Sequence, residues 1–225
     1  MTDIILTSGG LIDKYEGDAI MAFWGAPVPQ EDHAVRACLA ALDNQARLAD
    51  LRQEFLQAGL PPIHARIGIN TGEMIIGNMG SNQRFDFTVI GDSVNLASRL
   101  EGAGKEYGIS ILISEDTYSL TADQLEVREL DLLRVKGKDK PVRIYELLAR
   151  RGQLPENMKK ARELFLSGLE LYRNQKWEEA KSRFQGVLHI LPDDGPSKTF
   201  IRRCDQFQQS PPKEGWDGVF QLKTK

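Results

Sequence analysis

The sequence of 225 residues contains little cysteine, little net charge and no long apolar run. Its two cysteines, Cys38 and Cys204, lie far apart, so they indicate neither a disulfide framework nor a metal site, and they favour a reducing compartment. A net charge of −3 argues against a general nucleic-acid-binding protein. No segment reaches the about 20 apolar residues that a membrane span needs, and the N-terminus lacks the pattern of a signal peptide. These absences predict a cytoplasmic chain without a membrane segment.

The residues that are present suit a folded protein with a sizeable core. The hydrophobic content is 41%, and the length fits one medium domain with a smaller unit attached. We predict a main domain in residues 1–149, a linker, RRGQLPEN, in 150–157, a strongly helical and charged region in 158–209 and a tail in 210–225.

The most informative stretch is residues 84–101, RFDFTVIGDSVNLASRLE. Apolar and polar side chains alternate in its first half, which predicts a β-strand that ends at Gly91. Asp92 or Ser93 is predicted to cap the helix that follows, and Asp92 also suits the positive N-terminus of a helix. The stretch is therefore predicted to fold as strand, turn and helix.

The predicted helix has two distinct faces. Its inward face is formed by apolar residues at helical spacing, Val94, Ala97, Leu100 and Ala103. Asn95 and Arg99 are four residues apart, so they project together from another face. This pattern alone leaves two interpretations open: a structural unit with a surface arginine, or an amide and a guanidinium aimed at a ligand.

A family resemblance adds to this pattern. The segment TVIGDSVNLASRLE resembles the signature of the class III nucleotidyl cyclases, the adenylate and guanylate cyclases. The resemblance implies a ferredoxin-like α/β (α+β) sandwich that works as a head-to-tail homodimer with its sites at the interface. It also implies conversion of ATP to 3′,5′-cyclic AMP and pyrophosphate, for cyclic nucleotide signalling. In that reaction Arg99 would stabilise the transition state at the α-phosphorus, and Asn95 would orient the ribose.

A hairpin is predicted near the N-terminus. Two short strands, Leu11–Tyr15 and Ala19–Trp24, flank a turn at residues 16–18. From the residues alone, Asp18 is a turn residue and Lys14 is a solvated strand lysine. The segment DKYEGDAIMAFWG is similar to the corresponding hairpin of the class III cyclases. This similarity implies that Asp18 binds metal and that Lys14 contacts the adenine ring.

The choice of base depends on Lys14 and Thr88. A lysine can donate to the ring N1 of adenine, and a threonine hydroxyl can accept from the 6-amino group. Threonine at the second position is the variant known as class IIIb. Together the two residues imply ATP over GTP, because guanine would leave mismatched groups unpaired.

One part of the family pattern has no counterpart. Class III cyclases carry a first metal-binding aspartate on an upstream strand that resembles FADIRGFT, and nothing before Lys14 matches it. The earlier aspartates, Asp3 and Asp13, do not lie in an apolar strand of that kind. The expectation is an N-terminally truncated sandwich that lacks its first strand, with Asp18 as the identified ligand of two Mg²⁺ or Mn²⁺ ions. The alternative is a catalytically inactive homologue that acts as a nucleotide-binding or regulatory dimerisation module.

Two basic positions are candidates for phosphate binding. Arg66 lies in the predicted strand His64–Asn70, and a buried arginine there would need an anion, either in a structural salt bridge or on a nucleotide. The segment RIGINTG resembles the family's RxGIxxG, which implies the nucleotide phosphates. The segment KGK is a basic turn on charge alone, whereas the family's VKGK implies that Lys136, or as second choice Lys138, contacts the triphosphate.

The resemblance also divides the site between two subunits. One subunit would supply Lys14, Thr88, Asn95 and Arg99. The other subunit would supply Asp18 and Arg66.

The rest of the main domain is predicted to contain a long helix and further strands. Apolar spacing and a Gly-Leu-Pro-Pro stop indicate a helix over Glu31–Ala58. Ser114 followed by Thr117 predicts a small helix. The further strands are predicted at residues 74–77, Ile109–Ser114, Leu125–Val135 and Pro141–Leu148.

The C-terminal region is predicted to be a helical hairpin that resembles one tetratricopeptide repeat. The residues that match the spacing of such a repeat are Gly168, Trp177, Ala180, Phe184 and Pro192. A single repeat leaves an apolar face to be covered by the main domain, by a following helix at Pro196–Phe207, or by a protein partner. A helical appendage without a peptide groove is the alternative to a partner-binding module.

The tail SPPKEGWDGVFQLKTK is predicted to dock through Trp216, Val219 and Phe220. The order of cyclase domain, helical hairpin and PPxxxWDG tail resembles bacterial cyclases with an extracellular CHASE2 sensor and membrane helices upstream. That resemblance implies a parent protein anchored in the membrane, with this part in the cytoplasm.

Overall fold

The computed structural model describes residues 1–81, 84–134, 141–213 and 215–221. The helices are α1 Thr2–Thr7, α2 His33–Gln57, α3 Asp92–Tyr107, α4 Glu115–Ser119, α5 Glu156–Arg173, α6 Trp177–Ile190 and α7 Gly195–Gln209. The strands are β1 Leu11–Glu16, β2 Ala19–Phe23, β3 Ile67–Ile69, β4 Ile75–Ser81, β5 Arg84–Ile90, β6 Ile111–Ser114, β7 Leu125–Arg134, β8 Val142–Arg150 and β9 Phe220–Gln221. This mixed α+β content confirms the predicted fold class.

The strands form one larger sheet and two hairpins. The larger sheet has the order β3-β6-β8-β7-β9, in which β3 and β6 are parallel and β8 is antiparallel to both of its neighbours. β1 pairs with β2 and β4 pairs with β5, each as an antiparallel two-stranded ribbon. The predicted hairpin near the N-terminus and the strand before Gly91 are therefore confirmed.

The predicted strand His64–Asn70 is wrong in extent, because only Ile67–Ile69 is a strand. In the described part of the chain β3 pairs with β6 alone, and β6 begins at Ile111, opposite Ile67. Residues 64–66 therefore extend past the end of the neighbouring strand and leave the ladder.

Helix α3 packs closely on β3, but its buried face is rotated from the predicted one. The fully buried side chains are those of Leu96, Leu100, Ala103 and Tyr107, whereas Val94 and Ala97 are half-buried. A Cβ atom on Gly68 would lie 2.2 Å from the Ala97 carbonyl oxygen, so glycine lets the helix backbone rest on the strand. The N-cap is Gly91 rather than Asp92 or Ser93, and Asp92 lies in the first turn.

The helical region and the sheet share one hydrophobic core. Helices α5 and α6 pack through Gly168, where an added Cβ would lie 2.8 Å from the ring of Phe184. The core joins α3, β6, β7 and β8 to α5, α6 and α7, and its fully buried aromatic side chains are those of Tyr107, Phe165, Tyr172, Phe184 and Phe200. The apolar face of the hairpin is thus covered by the sheet and by α7, two of the three predicted covers. Its kinship with tetratricopeptide repeats stays a prediction.

The tail docks on the same helices. Trp216 packs against Tyr172, Trp177 and Phe207, with ring centroids 5.3–5.6 Å apart. The backbone of β9 then pairs with the end of β7 in parallel.

Among the described residues, the helices are too short or too polar for one of them to cross a bilayer.

Candidate functional site

The hairpin β1–β2 contains an irregularity that governs the direction of its side chains. The register runs from Ile12 opposite Ala22 to Lys14 opposite Met21, so Asp13 is an extra residue on β1. This arrangement is a β-bulge, which locally bends a strand and re-aims side chains. In a regular strand the side chains of Asp13 and Lys14 would point to opposite faces. Here the ammonium Nζ of Lys14 lies 3.5 Å from Oδ2 of Asp13.

Thr88 reaches the same carboxylate from the second hairpin. Its hydroxyl donates to Asp13 Oδ2 over 3.0 Å, and this contact joins β5 to β1. Thr88 is 7% exposed, and the side chain of Asp13 is fully buried. Lys14 is 40% exposed, so its ammonium also faces solvent. The structure therefore brings the two predicted base-contacting residues onto one carboxylate oxygen.

Asp13 is the residue that sequence reasoning missed at this site. From the sequence alone, Asp13 is considered only as a counterpart of the family's first metal-binding aspartate and is rejected in that role, because its strand does not match that first strand. The bulge that turns Asp13 towards Thr88 leaves no mark in the alternation of side chains. The sequence did contain a chemical indication. Asp13 lies in a predicted strand between Ile12 and Lys14, and an aspartate that is buried in a strand needs a hydrogen-bond donor as its partner.

Asn95 and Arg99 lie one turn apart on the solvent-facing side of α3, as predicted. The helix starts directly after β5, and the N–H of Asn95 donates to the carbonyl of Gly91 over 3.2 Å. The loop after β3 supports this end of the helix, because the amide of Asn70 donates to the Ser93 carbonyl over 3.0 Å. Asn95 and Arg99 are thus held by the element that follows Thr88.

Arg66 corrects an expectation, because it is not buried. Its side chain is 44% exposed, and its Nε donates to Glu101 Oε1 on α3 over 2.9 Å. It precedes β3 at the point where the ladder ends, which explains its exposure. Arg66 also lines an open cleft of about 300 Å³ with Arg52, His64 and Lys105. Among the described contacts its anion is therefore a surface carboxylate.

The metal-binding residues implied by the resemblance are not gathered in the described part of the chain. Asp18 lies exposed in the turn between β1 and β2. Among the described residues, no group of three or more His, Cys, Asp or Glu side chains is placed to hold a metal ion. The described residues therefore do not fit a two-ion site by themselves. Lys136 and Lys138 lie outside the described residues.

Comparisons with known proteins point to one family. The sequence profile of the adenylate and guanylate cyclase catalytic domain matches residues 12–149. The terminal-differentiation-specific adenylate cyclase of Dictyostelium discoideum is 37% identical over 212 residues, which cover 90% of this chain and 10% of that protein. That alignment therefore extends beyond the matched domain into the helical region. The chain spans between 10% and 29% of the length of the first three curated relatives.

Solved structures give the same result. The crystal structure of the adenylyl cyclase CyaB from P. aeruginosa is similar, with a TM-score of 0.61 and 40% identity, and the match covers 68% of this chain and 79% of that chain. The crystal structure of the guanylyl cyclase Cya2 gives a TM-score of 0.59 and 34% identity, over 68% of this chain and 76% of that chain. The similar structures thus include both an adenylyl cyclase and a guanylyl cyclase.

Proposed function

Because the chain belongs to the family of adenylate and guanylate cyclase catalytic domains, we propose that it converts ATP to cyclic AMP and pyrophosphate. The observation that carries the choice of ATP is the contact of Lys14 and Thr88 with one oxygen of Asp13. The two hairpins thereby place an ammonium donor beside a threonine hydroxyl. Adenine offers an acceptor at N1, which suits the ammonium of Lys14, and a donor at its 6-amino group, which suits the hydroxyl of Thr88.

The chemistry assigned to the remaining residues follows from their charge. Attack of the ribose 3′-hydroxyl on the α-phosphorus concentrates negative charge on the phosphate oxygens. A guanidinium held near those oxygens stabilises that charge more in the transition state than in the ground state. Arg99 has this role in the proposal, and Asn95 orients the ribose. Arg66 and Lys136 bind the β- and γ-phosphates, which requires Arg66 to exchange its surface contact with Glu101 for phosphate.

Divalent ions belong to the chemistry that the resemblance implies, with Asp18 as one ligand. When bound, such ions would lower the pKa of the attacking hydroxyl and neutralise the phosphates. Since the described residues do not form a two-ion site, the proposed roles are confined to the side chains of this chain.

A homodimer is part of the proposal, and the β4–β5 ribbon supplies a surface for it. Large apolar side chains are exposed along this ribbon, namely Ile75, Phe85, Phe87 and Ile90, with exposures of 51–68%. Exposed large apolar residues on one ribbon mark interaction surfaces. Because Thr88 lies on the same ribbon, the proposal sets the nucleotide site at the interface between two subunits.

A second candidate is an inactive homologue that binds nucleotide without turnover. The specific observation in its favour is the absence of a metal-ligand cluster among the described residues. The two candidates agree on ATP binding and differ on catalysis.

Measuring product formation distinguishes the active cyclase from the inactive homologue. Cyclic AMP formed from Mn-ATP is measured for this chain and for the longest natural form of the protein, beside calorimetric binding of ATP. Cyclic AMP from the longer form alone supports the cyclase with an incomplete metal site in this chain. Binding without product in either form supports the inactive module. Cyclic AMP from this chain would mean that its metal ligands were assigned wrongly.

A further inference from the structure

We propose that Asp13 is a specificity-determining residue, which selects adenine by fixing the hydrogen-bond direction of Thr88 and the position of Lys14. The inference rests on the proposed function, because it concerns the same base-binding site. Asp13 itself touches no base in this proposal. It is a positioning residue that acts through its two neighbours.

The bulge in β1 sets the direction of the Asp13 carboxylate. Since Asp13 is the extra residue on β1, its carboxylate turns to the side from which Lys14 and Thr88 approach. One carboxylate oxygen, Oδ2, then lies 3.0 Å from the Thr88 hydroxyl and 3.5 Å from the Lys14 ammonium. A regular β1 would carry Asp13 away from Lys14 and would remove this shared contact.

The bond to Asp13 fixes the hydrogen-bonding role of the Thr88 hydroxyl. A threonine hydroxyl has one proton to donate and two lone pairs that accept. An ionised carboxylate only accepts, so the bond to Asp13 uses the one proton of Thr88. The Thr88 oxygen can then only accept further hydrogen bonds, through its lone pairs. The hydroxyl, which could otherwise face a donor or an acceptor, can then pair only with a donor on the ligand.

An acceptor at Thr88 and a donor at Lys14 distinguish adenine from guanine. Adenine carries an amino donor at position 6 beside the acceptor N1, whereas guanine carries an acceptor, O6, beside the donor N1–H. Thr88 as an acceptor and Lys14 as a donor pair with adenine at both atoms. Guanine would set its O6 against the lone pairs of Thr88 and its N1–H against an ammonium. Both guanine groups would lose their water partners without gaining a bond.

The burial of Asp13 is a second, independent observation. Its side chain is fully buried, and its other oxygen, Oδ1, has no hydrogen-bond partner among the described residues. A buried acceptor without a partner is costly, so an apolar residue would serve stability better at this position. Stability alone therefore does not account for a carboxylate here, whereas the contacts of its Oδ2 with Thr88 and Lys14 do.

The test measures base selectivity in binding, which does not require turnover. Dissociation constants of ATP and GTP with Mn²⁺ are measured by calorimetry on the full chain. Asp13→Ala and Asp13→Leu remove the acceptor, and Leu keeps a similar shape. Asp13→Asn keeps an acceptor oxygen, and Asp123→Ala replaces an exposed aspartate as the matched control.

The expected result is a loss of selectivity that follows the acceptor. The unaltered chain, Asp13→Asn and Asp123→Ala favour ATP over GTP. Asp13→Ala and Asp13→Leu lower the ratio of the two constants by about fivefold to tenfold, the worth of one hydrogen bond. In a Thr88→Val background no hydroxyl remains to be oriented, so Asp13→Ala should lower the ratio by less than it does when Thr88 is present, and only through the position of Lys14.

Three outcomes would overturn the inference. An unchanged ratio in Asp13→Ala and Asp13→Leu overturns it and leaves the proposed cyclase standing. Unfolding of both variants, seen by circular dichroism, assigns Asp13 a structural role and overturns it too. Equal binding of ATP and GTP by the unaltered chain overturns the inference together with the proposed substrate. ATP preference without cyclic AMP formation removes only the catalytic part of the proposed function.

Discussion

Arg99 is the side chain on which the proposed catalysis depends most. It is exposed on α3, so its replacement leaves the core intact. We expect Arg99→Ala to lower kcat for cyclic AMP formation by about 10²- to 10³-fold, because a charge-stabilising donor at the α-phosphorus is lost. Calorimetric binding of ATP should change much less than kcat. The measurement is steady-state kinetics on the longest natural form.

Arg202→Ala provides the matched control, since Arg202 is an exposed arginine on α7. This variant should keep wild-type kcat. An Arg99→Ala enzyme with the kcat of the Arg202→Ala enzyme would remove Arg99 from the catalytic machinery.

Residue identities and residue environments were not equally predictable. Thr88, Asn95 and Arg99 could be selected because motif and helical spacing specify them directly. Arg66 was predicted to be buried, since its neighbours are apolar, but the neighbouring strand is too short to cover it. The contact of Asp13 with Thr88 depends on a bulge and on the meeting of two hairpins, and neither is encoded in local periodicity.

A buried polar cluster attaches α7 to α3 and β7. The Tyr107 hydroxyl and Arg203 both donate to Asp131 Oδ2 over 2.6 Å, and Arg203 also donates to Tyr107 over 3.2 Å. Burial raises the pKa of Tyr107 well above its ordinary value of 10.0, and the Asp131 carboxylate raises it further, so the hydroxyl stays a donor. All three side chains are at most 5% exposed.

Removing one charge from this cluster should destabilise the whole chain. We expect Arg203→Met to lower the free energy of unfolding by about 3–5 kcal/mol, because Asp131 keeps a buried charge without its cation. Denaturant unfolding measures the change. Lys198→Met on the same helix breaks only the exposed pair with Asp193 and should cost less than about 1 kcal/mol. Equal losses in the two variants would contradict the assigned role of the cluster.

A second contact between sheet and helices predicts a pH dependence. The hydrogen bond from Arg162 and the N–H of Gly152 lower the pKa of Glu126 below its ordinary value of 4.5. A carboxyl with a lowered pKa in the folded state contributes stability above pH 4.5. That contribution is lost as the pH falls through the folded-state pKa. The contact of Glu126 with Arg162 therefore stabilises the packing of α5 on β7 more at neutral pH than in acid.

The comparison with Glu126→Gln isolates this contribution. At pH 7 the variant should be less stable by about 1 kcal/mol, a low value because water reaches Arg162 and screens the pair. The difference should shrink towards zero as the pH falls through the folded-state pKa of Glu126. Urea unfolding across pH 3–7 measures it, with the exposed Glu163→Gln as control. A difference independent of pH would exclude the ionised Glu126 as its source.

Most elements followed from local sequence, but their faces and ends did not. Alternation and turn residues identified β1, β2, β5 and β6, because those signals are local. The inward face of α3 was displaced to Leu96 and Tyr107, since the helix also packs against α7 and the sheet beyond β3. The short β3 was set by its partner strand rather than by its own residues.

At the scale of the whole molecule, the β4–β5 ribbon should determine the oligomeric state. Phe85 and Phe87 are 64% and 51% exposed, so their replacement should leave the folding free energy within about 0.5 kcal/mol. We expect a Phe85→Glu, Phe87→Glu variant to sediment as a monomer and to lose cyclic AMP formation, because the proposed site needs both subunits.

Leu120→Glu controls for the added charge, since Leu120 is a 54% exposed residue of the turn after α4. It should leave sedimentation and activity unchanged. A double variant that remains dimeric in analytical ultracentrifugation would place the interface elsewhere.

The joining of the helical region to the main domain could be predicted only in part. The sequence indicated three covers for the apolar face of α5 and α6 without deciding between them. The decision comes from contacts distant in sequence, such as Arg128 with Asp194 at 2.8 Å and Thr199 with the Glu106 carbonyl at 2.9 Å. Such contacts depend on the packing of α7 against α3, which no local pattern in the sequence specifies.

The central claim is that this chain carries an adenine-selective cyclase site. The most direct test lets equal concentrations of ATP and GTP compete in one reaction of the longest natural form with Mn²⁺. The cyclic AMP and cyclic GMP formed are then quantified by mass spectrometry, with Arg99→Ala measured in parallel. Cyclic AMP should exceed cyclic GMP by at least about tenfold, and both should fall by about 10²- to 10³-fold in Arg99→Ala. An excess of cyclic GMP, or product formed by Arg99→Ala at the rate of the unaltered protein, would contradict the claim.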